Sequence, residues 1–435
     1  MREKFLALIV MGGLGFAVGC SSGGSTPSGV PGGGSTTDNV LSIAVNGGPT
    51  ANQAGGSIYP NGAFASITIC HPGSTTNCVT VDNLLVDTGS QGLRVLQSAV
   101  SSLGLPTVNA SNGSAAYDCA SFVDGSFLWG PVQSATLTLA GEVASSVPIQ
   151  VISSSTANIP TSCSNGGVNE NTQASLGANG ILGVGLEPFD CGLSCDASSG
   201  SSTPPAGAYY TCSSSGCTPA FASCGAECND SSSVEQVTNP VIAFPLDNNG
   251  VIVELPSISG GSAATVTGSL VFGIGTETNN QFSSSASVFT VANDFFNTTF
   301  EGQAFDIDPS SGTGPGSFID SGSNAYFFFN VNNILTLCPA TSSAADFYCP
   351  TSLTALSATV EDPNTGFSEP VDFSINNAQT LFASGDAAYS TLGGPVPAGE
   401  GFDWGLPFFY GRNVYVAIDG QAQPSNLANA PWWAF

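Results

Sequence analysis

The sequence predicts an all-β chain made of two related halves, and three observations carry that expectation. From Asn39 onward the apolar residues fall in short alternating or continuous runs of strand length, separated by Gly, Asn and Pro. The 54 glycines, with abundant Ser and Thr, favour turns over helix interiors. One unit occurs twice, at 84–90 and at 317–323: an apolar run closed by Asp, a small hydroxyl residue, Gly and Ser.

The elements follow in chain order. Residues 1–19 read as an export signal: Met1-Arg2-Glu3-Lys4 precedes an apolar run, 5–18, that is too short to span a bilayer. Ala17-Val18-Gly19-Cys20 resembles a bacterial lipobox, although leucine is usual where Ala17 stands. That resemblance implies a lipoprotein acylated at Cys20, with palmitate among its acyl chains, anchored in the cell envelope and facing the periplasm or exterior. Ser21 favours the outer membrane. A plain signal peptide with a chance cysteine is the alternative. Residues 20–38 form a Gly/Ser/Thr/Pro tether without periodicity.

Strand patterns at 40–45, 63–70, 83–86, 135–139 and 147–152 build a first lobe over 39–186. Residues 187–234 break the rhythm with six cysteines and few apolar residues, as a disulfide-stapled surface insertion would. Strands resume at 240–245, 251–255 and 269–274 in a second lobe over 235–435, where 331–337 is the best short helix candidate.

The chain has 13 cysteines; without Cys20 an even 12 remain, which in an exported protein reads as disulfides. The pairs 70–78 and 338–349 bracket turn-forming stretches and are expected to close locally. The spacings Cys191-x3-Cys195, Cys212-x4-Cys217 and Cys224-x3-Cys228 do not match zinc ribbons, so no metal is expected.

Hydrophobic residues make up 41%, enough for a core, whereas charged residues are 8% against a typical ~25%. Four Lys and Arg face 31 Asp and Glu, and two of the four, Arg2 and Lys4, lie in the signal. Only Arg94 and Arg412 remain, which excludes a phosphate-tracking surface for nucleic acid and electrostatic attachment to anionic lipid. The single histidine, His71, lies in Cys70-His71-Pro72-Gly73 and is expected to be a solvated turn residue. A His-dependent triad would have to use it.

The repeated unit carries the chemistry. Leu84-Leu85-Val86-Asp87-Thr88-Gly89-Ser90 returns as Ser317-Phe318-Ile319-Asp320-Ser321-Gly322-Ser323. Each copy is followed by a second apolar-Gly element: Asn179-Gly180-Ile181-Leu182-Gly183, and Trp404-Gly405-Leu406-Pro407. These residues resemble the pepsin-like aspartic proteases, as does the tail from Asp403 and Trp404 through Arg412 and Tyr415 to Asp419. Ser269-Leu270-Val271-Phe272-Gly273 is similar to the strand that opens the second pepsin lobe.

The resemblance covers about 40–186 and 236–435. It implies two β-barrel lobes around a cleft, with Asp87 and Asp320 as a catalytic pair sharing one proton; such dyads are a standard example of carboxylates too close to ionise together. It gives Thr88 and Ser321 a bond to the opposite loop, Gly89 and Gly322 a tight turn, and Ser90 and Ser323 a hold on the outer carboxylate oxygens.

The implied activity is endopeptide hydrolysis by a water activated between two aspartates, on a peptide or protein substrate, by a monomer without cofactor. The alternative is a non-catalytic envelope or surface binding protein of the same fold. The whole chain is also similar to a bacterial family of exported proteins of unknown function.

Three departures are visible. Pro407 stands where pepsins keep a glycine beneath the active-site loop, Gln91 replaces a hydrogen-bonding Ser, and no flap tyrosine is evident. Tyr117, Phe122, Phe127 and Trp129 flank the turn Val123-Asp124-Gly125-Ser126 and are expected to pack in the hairpin, with a flap role open for Phe122. Residues 21–38 carry no cation, unlike a Lys-rich pepsin propeptide. Arg412, between Asp403 and Asp419, is expected to be buried and ion-paired.

Overall fold

The computed structural model describes residues 38–50, 56–110, 112–199, 201–224 and 234–435. The signal at 1–19, Cys20 and all but the last residue of the tether lie outside the described residues. The chain is mostly β, as expected, and its helices are single short turns or little more.

The first half is built from β1 (Val40–Val45), β2 (Ala63–Cys70), β3 (Cys78–Asp87), β4 (Gln91–Leu96), β5 (Ala115–Ser121), β6 (Phe127–Leu139), β7 (Glu142–Ile152) and β8 (Gly180–Val184). Alternation sets the faces: Leu41, Ile43 and Val45 point inward from β1, while Ser42 is exposed. In the order β2, β3, β8, β4, β7, β6, six strands close on themselves, because β6 pairs back onto β2. Closure removes sheet edges and encloses a core of Val, Leu and Ile.

β1 also pairs along its whole length with Val266–Phe272, so the sheet runs on into the second half through β1. There Gly250–Leu255, Arg412–Ala417 and Trp432–Ala434 continue it. Besides a two-stranded ladder of Ser262–Ala263 with Ala388–Tyr389, the rest of the second half holds two four-stranded sheets. Their shared interior is aromatic: Phe328 stacks on Phe402, Phe402 on Trp404, and Phe300 and Phe373 pack edge-on against Phe402. Burying each such ring contributes roughly 1.5–3 kcal/mol, so this aromatic cluster is a principal reason the second half holds together.

Three expectations are corrected. Residues 240–245 form a 3-10 turn, Pro240–Ala243, capped by Asn239, because Pro240 lacks the N–H a ladder would use. The 331–337 candidate is one 3-10 turn, Val331–Asn333, broken by Asn332 at φ 55°. The longest helix is instead Ala378–Ala383, started by the Asn377 side chain on the Thr380 N–H.

The described part of 187–234, residues 187–199, 201–224 and 234, is not a surface appendage. Its hairpin, β9 (Tyr209–Ser213) and β10 (Gly216–Pro219), adds to β5 and extends the sheet, and Tyr209 and Tyr210 are fully buried.

The local disulfides form as expected at Cys70–Cys78 and Cys338–Cys349. Cys119–Cys163, Cys191–Cys195 and Cys212–Cys217 are bonded too, and Cys224 is disulfide-bonded. His71 sits half-buried in the turn closed by the first of these.

Candidate active site

The two copies of the repeated unit adopt one arrangement. β3 runs parallel to β8, with Asp87 opposite Gly183, and β8 is antiparallel to β4. In the second half Ser317–Asp320 runs parallel to Phe402–Gly405, with Asp320 opposite Gly405, and that strand is antiparallel to Tyr326–Phe328.

The glycine beneath the second loop is therefore Gly405, and the supposed departure at Pro407 is corrected. A Cβ on Gly405 would fall 2.1 Å from the Ala325 carbonyl oxygen. Pro407 lies in the following 3-10 turn, and Leu406 supplies the N–H that bonds the Ser323 carbonyl at 2.8 Å.

Both loops meet at the centre of the molecule. The Thr88 hydroxyl donates to the Ile319 carbonyl at 3.0 Å and accepts from the Ser321 N–H at 3.0 Å. Reciprocally, the Ser321 hydroxyl donates to the Val86 carbonyl at 2.8 Å and accepts from the Thr88 N–H at 3.1 Å.

Asp87 and Asp320, 1% and 0% exposed, are thereby held side by side. Gly89 donates its N–H to Asp87 Oδ1 at 2.9 Å and Ser90 its hydroxyl to Oδ2 at 2.5 Å. Gly322 and Ser323 serve Asp320 in the same way at 2.7 and 2.8 Å. The two glycines are required for space. A Cβ on Gly89 would sit 2.7 Å from the Asp320 Cγ, and one on Gly322 2.6 Å from Asp87 Oδ1.

Burial pushes both carboxyls up from the ordinary range, and the negative charges of Asp87 and Asp403 push Asp320 further. Asp87 is partly relieved by its hydrogen bonds and by the positive charge of Arg94. The pair is therefore biased toward sharing one proton, with Asp320 pushed up further than Asp87.

Three features were not legible in the sequence. Tyr59 is clamped between Phe64, Gly62 and Gly177, and its buried hydroxyl has no hydrogen-bond partner. Its pKa is raised, first by burial and then by the charges of Asp87 and Asp320.

Arg94 is the second. It is fully buried, bonding Asp190 at 2.8 Å, the Gln91 carbonyl at 2.6 Å and lying 3.6 Å from Asp118. Tyr209 donates to the other Asp190 oxygen at 2.5 Å. The residues from 187–234 are thus tied to the strand that leaves the first active-site loop.

Asn61 is the third. Buried at 0% exposure, it bonds the carbonyls of Asn324 and Tyr389, both at 2.8 Å, and so pins the first half to the second.

Arg412 departs from expectation. It is half-buried, donates to the Phe408 carbonyl at 2.7 Å and lies 4.4 Å from that ring's centroid, rather than pairing with Asp403 or Asp419. Phe122, Phe127 and Trp129 are buried in the hairpin packing, with Tyr117 stacked on Trp129. Among the described residues no group of three or more His, Cys, Asp or Glu is placed to hold a metal ion.

The fold and site define an all-β protein whose duplicated strand-loop units join two buried aspartates at one centre. The chain belongs to the family described as Protein of unknown function (DUF3443), whose model matches residues 35–435. Among solved structures it is similar to the aspartic proteinase from Irpex lacteus, at 15% identity and a TM-score of 0.44, over 86% of this chain and 92% of that one. No curated protein matches it.

Proposed function

We propose that the chain is a bilobal, pepsin-like aspartic endopeptidase, exported and held in the bacterial envelope by lipid on Cys20. The observation that supports this most is the dyad: two buried carboxyls, both pushed up and Asp320 the further, locked together by reciprocal hydroxyl bonds from Thr88 and Ser321.

The proton inventory suits hydrolysis. Asp87, ionised, takes a proton from a water as its oxygen attacks the peptide carbonyl carbon. Asp320 gives its proton to the carbonyl oxygen, forming a neutral gem-diol. On collapse Asp87 gives its proton to the leaving nitrogen as the C–N bond breaks, and Asp320 takes a proton from a gem-diol hydroxyl, which restores the starting pair. The described disulfides fit an oxidising compartment outside the cytoplasm.

A non-catalytic binding protein is the second reading. It is favoured by the hairpin turn at 122–126, which presents Val123 and Asp124 rather than a tyrosine. The test is cleavage of a denatured protein mixture at acidic pH, blocked by a transition-state peptide inhibitor. Asp87→Asn and Asp320→Asn should each abolish cleavage while the fold survives. Wild-type chain that binds the inhibitor without cleaving would make the binding protein the answer. Cys20→Ser should move the protein from the membrane to the soluble fraction; signal-cleaved mutant that stays with the membrane overturns the lipid anchor.

A further inference from the structure

A cavity of about 280 Å³ is lined in part by Phe318 and Asp403, on the two paired strands that lead to Asp320 and Gly405. Phe318, Phe327 and Val396 give it apolar walls, and Asp124 from the hairpin turn and Glu400 lie around it. Strand register sets Asp403 opposite Phe318, two residues before Asp320, and opposite Phe327 on the other side.

Asp403 is 3% exposed and neither carboxyl oxygen has a hydrogen-bond partner. The neighbouring Ser323 hydroxyl donates to Asp320 Oδ2 instead, at 2.8 Å. The two cations among the described residues are engaged elsewhere, Arg94 with Asp190 and Arg412 with Phe408. A buried carboxyl without donors is costly. This one lines a mainly apolar cavity that has two further carboxyls, Asp124 and Glu400, around it.

We propose that the cavity receives a lysine or arginine side chain of the bound peptide, next to the scissile bond, and that Asp403 is the residue that selects it. The proposal rests on the peptide-binding cleft of the preceding reading. The aliphatic stem would lie against Phe318, Phe327 and Val396, and the cation would meet the Asp403 carboxylate and the ring faces. Asp124 and Glu400 add negative potential around the cavity, and the chain's formal charge of −27 draws cationic peptides toward it. A neutral side chain of the same length would fill the volume and leave Asp403 unpaired.

The test is equilibrium binding, by calorimetry, of two uncleavable hydroxyethylene peptides that differ only in lysine or norleucine beside the isostere, placed on each side in turn. The lysine peptide should bind roughly tenfold or more tightly in one of the two placements. Asp403→Asn and Asp403→Leu, checked for an unchanged melting transition, should each erase or reverse that preference. Equal binding of the two peptides in both placements overturns the proposal. So does a lysine preference that survives both variants, or failure of every peptide to bind. A chain that prefers lysine yet cleaves nothing keeps this proposal and removes the endopeptidase reading; cleavage without basic preference does the reverse.

Discussion

Thr88 and Ser321, 233 residues apart, each donate a hydroxyl proton to the carbonyl that leads into the other's aspartate. Each hydroxyl also accepts the other loop's backbone N–H, so four buried polar groups are satisfied by two side chains. The relationship aligns Asp87 and Asp320 without either carboxyl having to make the joint itself.

Thr88→Val keeps the shape and removes the exchange, leaving the Ser321 N–H and Ile319 carbonyl unpaired. We expect a loss of about 1–3 kcal/mol in urea unfolding. Ser321→Ala should cost a similar amount, and the double variant less than the sum, because the groups belong to one network. Additive losses would mean that the two loops are held independently.

Stability should rise on acidification. Burial raises the pKa values of Asp87, Asp118, Asp320 and Asp403, brings Asp190 to about 6, and brings Glu142, with nearby carboxylates, to about 7. A carboxyl raised in the folded state binds its proton more tightly there than in the unfolded chain. Its contribution is full below the unfolded pKa, near 4, and is lost as pH rises through the folded value. Melting temperature should therefore climb as pH falls from about 8 to about 4, and Asp320→Asn should flatten part of that climb. A melting temperature that peaks at neutral pH would contradict these shifts.

The two arginines should behave differently. Arg94→Ala strands Asp118 and Asp190 as buried carboxylates and should cost ~3–5 kcal/mol at neutral pH. The deficit should shrink as pH falls toward about 6, because Arg94 holds the folded Asp190 down to about 6 and its loss lets burial push that carboxyl higher. Arg412→Ala gives up a bond to the Phe408 carbonyl and a ring contact, with a loss nearer ~1–2 kcal/mol and no recovery in acid. Urea unfolding at two pH values distinguishes the pair; equal, pH-independent losses would remove the Arg94 network as the cause.

Tyr59 is a phenol that feels the charges of Asp87 and Asp320. Its hydroxyl is buried without a partner, so Tyr59→Phe should leave the melting temperature unchanged or slightly higher. If the phenol donates to bound peptide, kcat/KM should fall roughly tenfold or more while the acid-side pH profile is kept. Unchanged kinetics would make Tyr59 a packing residue only.

What the sequence determined by itself was local. The strands Val40–Val45 and Ala63–Cys70 and the staples Cys70–Cys78 and Cys338–Cys349 follow from alternation and turn chemistry among neighbours. The duplicated Asp-[Thr/Ser]-Gly-Ser unit named the dyad for the same reason, since its meaning sits within seven consecutive residues. Tertiary structure decided the remainder. Gly405 rather than Pro407 underlies the second loop because parallel register, not residue count, brings it opposite Asp320. Arg94 finds Asp190 96 positions away, and Tyr59 finds Gly177, through packing that leaves no periodic trace in the chain. Asp403 reads as one more polar residue before a tryptophan until the sheet closes around it. Burial and the absence of a donor are properties of its whole neighbourhood, and only the folded chain assembles that neighbourhood.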